Sequence, residues 1–353
     1  MGLSDEIKPK QIRNKTKTRK DLLMTLIIKT FLYNCNMFDT HCHLNFSRFK
    51  NNLSQVVDYA RKGGVNKIVV PGTDISTSQE AIEISHQFEG VYAAVGIHPH
   101  HAYELYHSSI LLSQDQLGSL PIAGPVAPHS TSQSEGSFRS SLPQTTDLRN
   151  KISDLIISLE QMLQNPKVVA IGEIGIDKHE YKMTKHENYA ITPEFITLQK
   201  KLVERQIDLG LRNNKSIILH NREAREDLMD VLTKVDLKQM EYRTVFHCCE
   251  PDAFLFDFAK ANHFFIGVDG DVTYWKEKQE FIKEVPFEML VLETDAPFLL
   301  PEPLRAEKKY PNNPGNIPII AKFIANLKGE SVEVVDRVTT ENARRLFNLP
   351  EDQ

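Results

Sequence analysis

Short runs dense in Val, Ile and Phe recur along the chain, separated by longer stretches in which apolar residues return every three or four positions. The runs Met37–His41, Lys67–Pro71, Val91–Gly96, Val168–Glu173, Ser216–His220, Thr244–His247, Phe264–Val268 and Met289–Thr294 predict eight strands. Several of them, including KIVV, VVAIG and SIILH, are apolar without alternation, the signature of strands buried on both faces of a parallel sheet. Leu53–Lys62, Ser78–Phe88, Pro193–Leu209 and Arg222–Leu232 predict helices between them. In the last, Ala224, Leu228, Val231 and Leu232 form one apolar stripe against charged neighbours. Strand and helix thus alternate about eight times, which predicts an α/β protein with the (β/α)₈ architecture of a TIM barrel.

Two segments stand outside this rhythm. Residues 1–36 hold eight Lys and Arg against three acids, a local charge of +5, while the rest of the chain carries −10. This basic N-terminal extension is expected to be a solvated disordered tail, with a nuclear-import or phosphate-contacting arm as the alternative. Between about Tyr103 and Arg149 the sequence is rich in Ser, Pro, Gln and Thr and has no periodicity, so residues 103–149 are expected to form a long disordered insertion after the third strand. Without both pieces about 270 residues remain, close to the roughly 250 of one barrel. A single hydrolase-sized domain over residues 37–349 accounts for them.

The overall charge of −5 excludes a generally basic nucleic-acid coat, so any nucleic-acid role has to be local. Cys35, Cys42, Cys248 and Cys249 are too few and too unevenly placed for a disulfide framework, which favours a reducing compartment, the cytoplasm with the nucleus as a second candidate. Leu22–Leu32 is too short and too interrupted to cross a bilayer, and no membrane partner is expected.

The chemistry lies where polar residues end the apolar runs. His41 and His43 close the first, His98 follows the third, Glu173 ends the fourth, His220 the fifth, His247 the sixth, and Asp295 follows the eighth. In a barrel these C-terminal strand ends converge on one mouth. Alternate side chains of an extended segment share a face, so His41 and His43 project together and Cys42 points away. Asp39, an even step before the pair, is expected either to orient an imidazole or to cap backbone. Four histidines and two carboxylates exceed what one tetrahedral ion needs and match two neighbouring ions. Glu173 would bridge them, with His41, His43 and Asp295 on one side and His220 and His247 on the other. Imidazole suits Zn, Fe, Cu or Ni, and the carboxylates widen the choice towards Mg and Mn.

In DTHCHL (39–44), VGIHPH (95–100), AIGEIGID (170–177), LQKKLVERQIDLGLRNNKSIILHNREA (198–224), VFHCC (245–249), LETDAPFLLP (292–301), NNPGNIP (312–318) and TTENARRLF (339–347), the chain resembles the TatD family of metal-dependent deoxyribonucleases, within the amidohydrolase-like barrel hydrolases. The resemblance covers about residues 37–102 and 167–348. It implies metal ligation by His41, His43, Glu173, His220, His247 and Asp295, two divalent ions of the Mg²⁺ type with Mn²⁺ or Zn²⁺ as alternatives, and 3′→5′ exonuclease or endonuclease action on DNA. It also implies that His98 contacts substrate or phosphate and that Arg222 contacts phosphate. The chain departs from the family at Lys178–Tyr181, where an aromatic residue and an Arg are usual, and at HCCE, where Cys249 replaces the usual aromatic residue.

The reaction expected is hydrolysis of DNA phosphodiesters by a water activated at the metal pair, with Asp295 taking its proton and Glu173 holding the ions. An amide, ester or aminoacyl-RNA hydrolase on the same barrel is the enzymatic alternative, and a non-catalytic DNA- or protein-binding scaffold the alternative outside catalysis. His100 and His101 are read as loop residues, Glu293 and Cys42 as structural, and Cys249 as inert.

Overall fold

A computed structural model of the chain describes residues 36–106, 144–182 and 189–350. All eight expected strands are present: β1 (Met37–Asp39), β2 (Val65–Pro71), β3 (Val91–Val95), β4 (Val168–Asp177), β5 (Ser216–Arg222), β6 (Thr244–Phe246), β7 (Phe265–Val268) and β8 (Leu290–Leu292). They stand in chain order and each pairs in parallel with the next. The seam between β8 and β1 is closed just beyond the strands. Thr40 and His43 donate backbone N–H groups to the carbonyls of Leu292 and Ala296 at 3.0 and 2.8 Å, and Asp295 N–H returns one to His41 at 2.9 Å. The barrel therefore closes through the same residues that carry the DTHCHL and ETDAP motifs.

Helices cover the outside, among them α1 (Leu53–Lys62), α2 (Ile75–Gln87), α3 (Gln144–Leu163) and α4 (Pro193–Arg212). Side chains set their starts: Asp74 accepts from Thr77 N–H at 2.7 Å to open α2, and Thr192 accepts from Phe195 N–H at 3.2 Å to open α4. Inside the barrel, each strand contributes to one apolar layer: Phe38, Val69, Ala94, Ala170, Ile218, Val245, Phe265 and Val291. Ala343, Leu346 and Phe347, from the helix Val332–Leu346 and its end, pack into the same cluster and cover the floor. The polar strand-end residues stand above this layer, so the apolar floor keeps water out from below and leaves one open side.

Two boundaries differ from expectation. The insertion read over residues 103–149 is narrower, because residues 99–106 are helical and α3 begins at Gln144. Leu148, Ile152, Leu155, Leu159 and Leu163 recur at helical spacing on α3, with Ile152, Leu159 and Leu163 buried and Leu148 packed against the core, a periodicity that starts before the polar stretch ends. The rest of the insertion and the tail before Asn36 lie outside the described residues. The helix expected from Arg222 starts at Arg225, since β5 continues through Arg222 in register with Asp177 of β4.

Beside the mouth, β7 runs into a short 3₁₀ turn, Gly270–Thr273, and a helix, Lys276–Glu284. Lys278 of that helix is fully buried, with Nζ 2.9 Å from Asp269 Oδ2 and 2.7 Å from Asp271 Oδ1. A lone buried charge is costly, so the ammonium and the carboxylates depend on one another.

Two substitutions test this framework. Gly175 sits opposite His220 in the β4–β5 register, and a Cβ there would lie 1.9 Å from the His220 carbonyl oxygen. Gly175→Ala is expected to cost about 3 kcal/mol or more, read as a lowered urea midpoint; unchanged stability would refute the close approach. Lys278→Met, which strands two buried carboxylates, is expected to lose about 3–5 kcal/mol, and adding Asp269→Asn and Asp271→Asn to recover most of it. A Lys278→Met protein as stable as the native one would remove the ion cluster from the structural account.

Candidate metal centre

Glu173 is placed by an irregularity in β4. The β4–β5 register shifts between Ile171 and Ile174, which breaks the two-residue alternation and turns the Glu173 side chain into the barrel. Gly172 permits the shift: its φ is +150°, and a Cβ on it would lie 2.6 Å from the Cβ of Ile218.

The two carboxylate oxygens of Glu173 face different partners. Oε2 lies 3.4 Å from His41 Nε2 and 3.6 Å from His43 Nε2. The Asp295 Oδ1 atom lies 3.8 and 3.4 Å from the same two nitrogens. Oε1 lies 2.7 Å from His247 Nε2, 2.8 Å from His220 Nδ1 and 3.2 Å from His98 Nε2. All seven strand-end residues singled out in the sequence therefore meet in one pocket. Arg222 stands at its rim, half-buried, with its guanidinium 5.2 Å over the Tyr181 ring.

Outer partners fix the imidazoles. Asp177 Oδ2 lies 3.2 Å from His220 Nε2 and accepts its proton, so the Nδ1 proton that bonds Glu173 at 2.8 Å is the one a cation would replace. The same carboxylate oxygen accepts from Tyr181 Oη at 2.7 Å and faces His100 Nε2 at 3.0 Å, while Arg222 Nη1 donates to Tyr181 Oη at 3.2 Å. His98 is held the opposite way round. Its Nδ1 accepts the His100 backbone N–H at 3.1 Å, so in the neutral ring Nε2 carries the hydrogen that points at Glu173. This separates His98, whose Nδ1 lone pair is already taken by backbone, from His220, whose outer nitrogen gives its proton to Asp177. On the far wall Glu293 accepts the Cys248 backbone N–H and lies 3.7 Å from His247 Nδ1. Asp39 resolves as a backbone cap: it accepts from His41 N–H at 3.2 Å and from the Thr294 N–H and hydroxyl at 3.0 and 2.6 Å.

Burial sets the charges. Burial by itself would raise the Glu173 carboxyl, but the His247 charge and the hydrogen bonds from His220 and His247 outweigh it and hold the group well below its usual range. Asp177 is likewise held low, burial being outweighed by His100 and His220. Burial would lower His220, but Asp177 and Glu173 push it up to about 9. The same opposition raises His247 through Glu173 and Glu293. Burial brings His98 down to about 3 despite Glu173, so it is neutral at ordinary pH. The pocket thus fixes an anionic carboxylate and draws positive charge around it.

The donor set fits divalent cations. Among the described residues, His41, His43 and Asp295 form one group of converging ligand atoms, and His41, Glu173 and His247 another. The Nε2 atoms of His41 and His43 face each other at 3.2 Å, an approach that a cation on their lone pairs would relieve. Cys248, Asp269 and Asp271 make a further convergent group, but Lys278 already supplies its positive charge. Cys249, read as inert in the sequence, is buried, donates weakly to the Glu250 carbonyl at 3.5 Å, and has its thiol pushed up to about 12 by burial.

Sequence reasoning missed Asp177, Tyr181 and Glu293 as partners of the centre, and placed His100 in a loop although it lies on a helical turn. Asp177 lies inside AIGEIGID, and its even spacing from Glu173 and Gly175 was the available signal. Glu293 follows the apolar strand directly, and an acid abutting a buried strand was the clue there.

A family model described as TatD related DNase matches residues 38–348. The chain is 29% identical over 315 residues to the uncharacterized metal-dependent hydrolase YabD of Bacillus subtilis, covering 89% of this chain and 99% of that protein. It is 27% identical over 319 residues to the 3′-5′ ssDNA/RNA exonuclease TatD of Erwinia tasmaniensis, covering 89% and 100%. The crystal structure of YjjV, a TatD homolog of Escherichia coli, superposes with a TM-score of 0.65 at 25% identity, covering 90% and 99%. With the family pattern matched across nearly the whole barrel, this chain belongs to the TatD-related DNase family of metal-dependent hydrolases.

Proposed function

We propose that this protein is a deoxyribonuclease that removes nucleotides in the 3′→5′ direction with two divalent ions, Mg²⁺ in preference to Mn²⁺ or Zn²⁺. The observation that carries the reading is the division of Glu173, whose Oε2 serves the His41, His43 and Asp295 group and whose Oε1 serves His220 and His247. In this reading those six residues are the ligands, and residues 37–349 form the one catalytic domain behind the basic arm 1–36. The free thiols of Cys42, Cys248 and Cys249 fit a cytoplasmic setting. No helix of the described residues is long and apolar enough to cross a membrane.

When bound, the ions would supply a water of lowered pKa and positive charge against the phosphoryl oxygens. The protein's own groups do the rest. Asp295 stands on the open side, its side chain 16% exposed against 5% for Glu173, and takes the proton of the attacking water at its carboxylate. Glu173, held anionic by its histidines, keeps both halves of the centre in register. Neutral His98 offers its Nε2–H to a phosphoryl oxygen, where a hydrogen-bond donor is worth most as charge develops. Arg222 keeps guanidinium donors at the rim for a neighbouring phosphate, oriented by Tyr181. Asp177 holds the His220 ring so that Nδ1 remains directed inwards.

The test uses end-labelled single- and double-stranded DNA with Mg²⁺, Mn²⁺ or Zn²⁺, beside a panel of amides and an aminoacyl-RNA. The native protein is expected to shorten DNA from the 3′ end, to stop with a chelator and to resume on adding the metal. His220→Ala and Asp295→Ala are each expected to lower the rate about a hundredfold or more while retaining cooperative melting. Full activity in both variants would overturn the site assignment, and turnover of amides or aminoacyl-RNA without turnover of DNA would overturn the substrate.

A further inference from the structure

Two aromatic rings carry the His43 and Asp295 side of the centre outwards to solvent. Phe46 stacks on the His43 ring, with centroids 4.4 Å apart and planes 20° apart. Phe298 meets Phe46 at 6.1 Å and His43 at 6.5 Å, both edge to face. Phe298 is 50% exposed, an expensive position for a large apolar ring. Two other exposed aromatics, Tyr59 and Phe254, have partners away from the centre. The Tyr59 ring packs against Gly315, and Phe254 lies under the Arg225 guanidinium at 5.6 Å.

The loop that presents Phe298 is firmly held. Phe298 donates its N–H to the Asp295 carbonyl at 2.9 Å, and Asn312 Nδ2 donates to the carbonyls of Thr294 at 2.9 Å and Leu299 at 3.3 Å. Asp295 and Leu299 bracket the ring at φ 47° and 48°, a backbone that this bonding sustains. The ring is therefore an exposed flat surface in a fixed place, within reach of the atoms that would handle a scissile phosphate. Every nucleobase has a π face, and stacking on an aromatic side chain accepts any of them.

We propose that Phe298, buttressed by Phe46, is the stacking platform for the base of the nucleotide being removed. It makes the site select nucleic acid over simple phosphodiesters without selecting sequence. The proposal rests on the nuclease reading above and adds to it where the terminal base lies, on the His43 and Asp295 side, opposite Arg222.

The experiment compares full-length native protein, Phe298→Ala and Phe298→Trp on a single-stranded oligonucleotide ending in a natural 3′ nucleotide and on the same strand ending in an abasic residue. Phe298→Ala is expected to lose about five- to a hundredfold in kcat/KM on the natural end, mostly through KM, and little on the abasic end. Phe298→Trp is expected to restore the preference. An equal loss on both ends, or no loss on either, would overturn the platform while leaving the nuclease reading intact. If the native protein cleaves neither strand, both readings fall together.

Discussion

A carboxylate buried among five imidazoles governs the architecture of this protein. Such a group is tolerable only while positive charge is held around it, and the residues that supply it come from β5 and from the segments after β1, β3 and β6. Each must arrive at a fixed height above the apolar floor. The β4 register shift, Gly172 beside Ile218 and Gly175 beside the His220 carbonyl set the position of Glu173 and His220. The rest of the barrel brings the other partners to that point.

The seam adds a second constraint. The segments that close β8 against β1 also hold His41, His43 and Asp295, so barrel closure and the assembly of one half of the centre are the same event. Asp39 ties them further by accepting from both the His41 and Thr294 backbones. The opposite half depends on Asp177, which draws His220, His100 and Tyr181 into one cluster and links it through Tyr181 to Arg222. The two halves meet where the His41 ring stacks on His247, centroids 4.0 Å apart, and at the Glu173 side chain. This gives a physical reason for a carboxylate there, because two oxygens on one rigid group can face two sites while a ring nitrogen offers one lone pair at a time.

The histidines do not play one part. His220 and His98 stand on the same carboxylate oxygen, yet their outer hydrogen bonds are opposite: Asp177 takes the outer proton of His220, and the His100 N–H takes the outer lone pair of His98. The inward proton of His220 can then give way to a cation, while the Nε2–H of His98 stays a donor. A list of residue types cannot contain this difference, because it lies in what each ring meets on its far side.

Much of the fold was legible because its signals are local. Continuous apolar runs of Val and Ile mark buried parallel strands wherever they occur, and all eight were visible in KIVV, VVAIG, SIILH and their counterparts. The clustering of His41, His43, His98, Glu173, His220, His247 and Asp295 followed from the rule that strand ends of a barrel share a mouth. The parts missed were those where tertiary contact overrides local pattern. Glu173 lies within β4 rather than at its end, because the strand continues to Asp177 after its register shift. Glu293 was read as structural although it faces His247, and Asp177 was passed over although it orients His220. Sequence alone determined the alternation of elements and the residue types available to the centre, since periodicity and chemistry are written in adjacent positions. Only the tertiary structure decided which carboxylate oxygen faces which ring, where each ring's protons lie, and that Phe298 stands exposed beside them, since those depend on residues up to 255 positions apart being packed within a few ångströms.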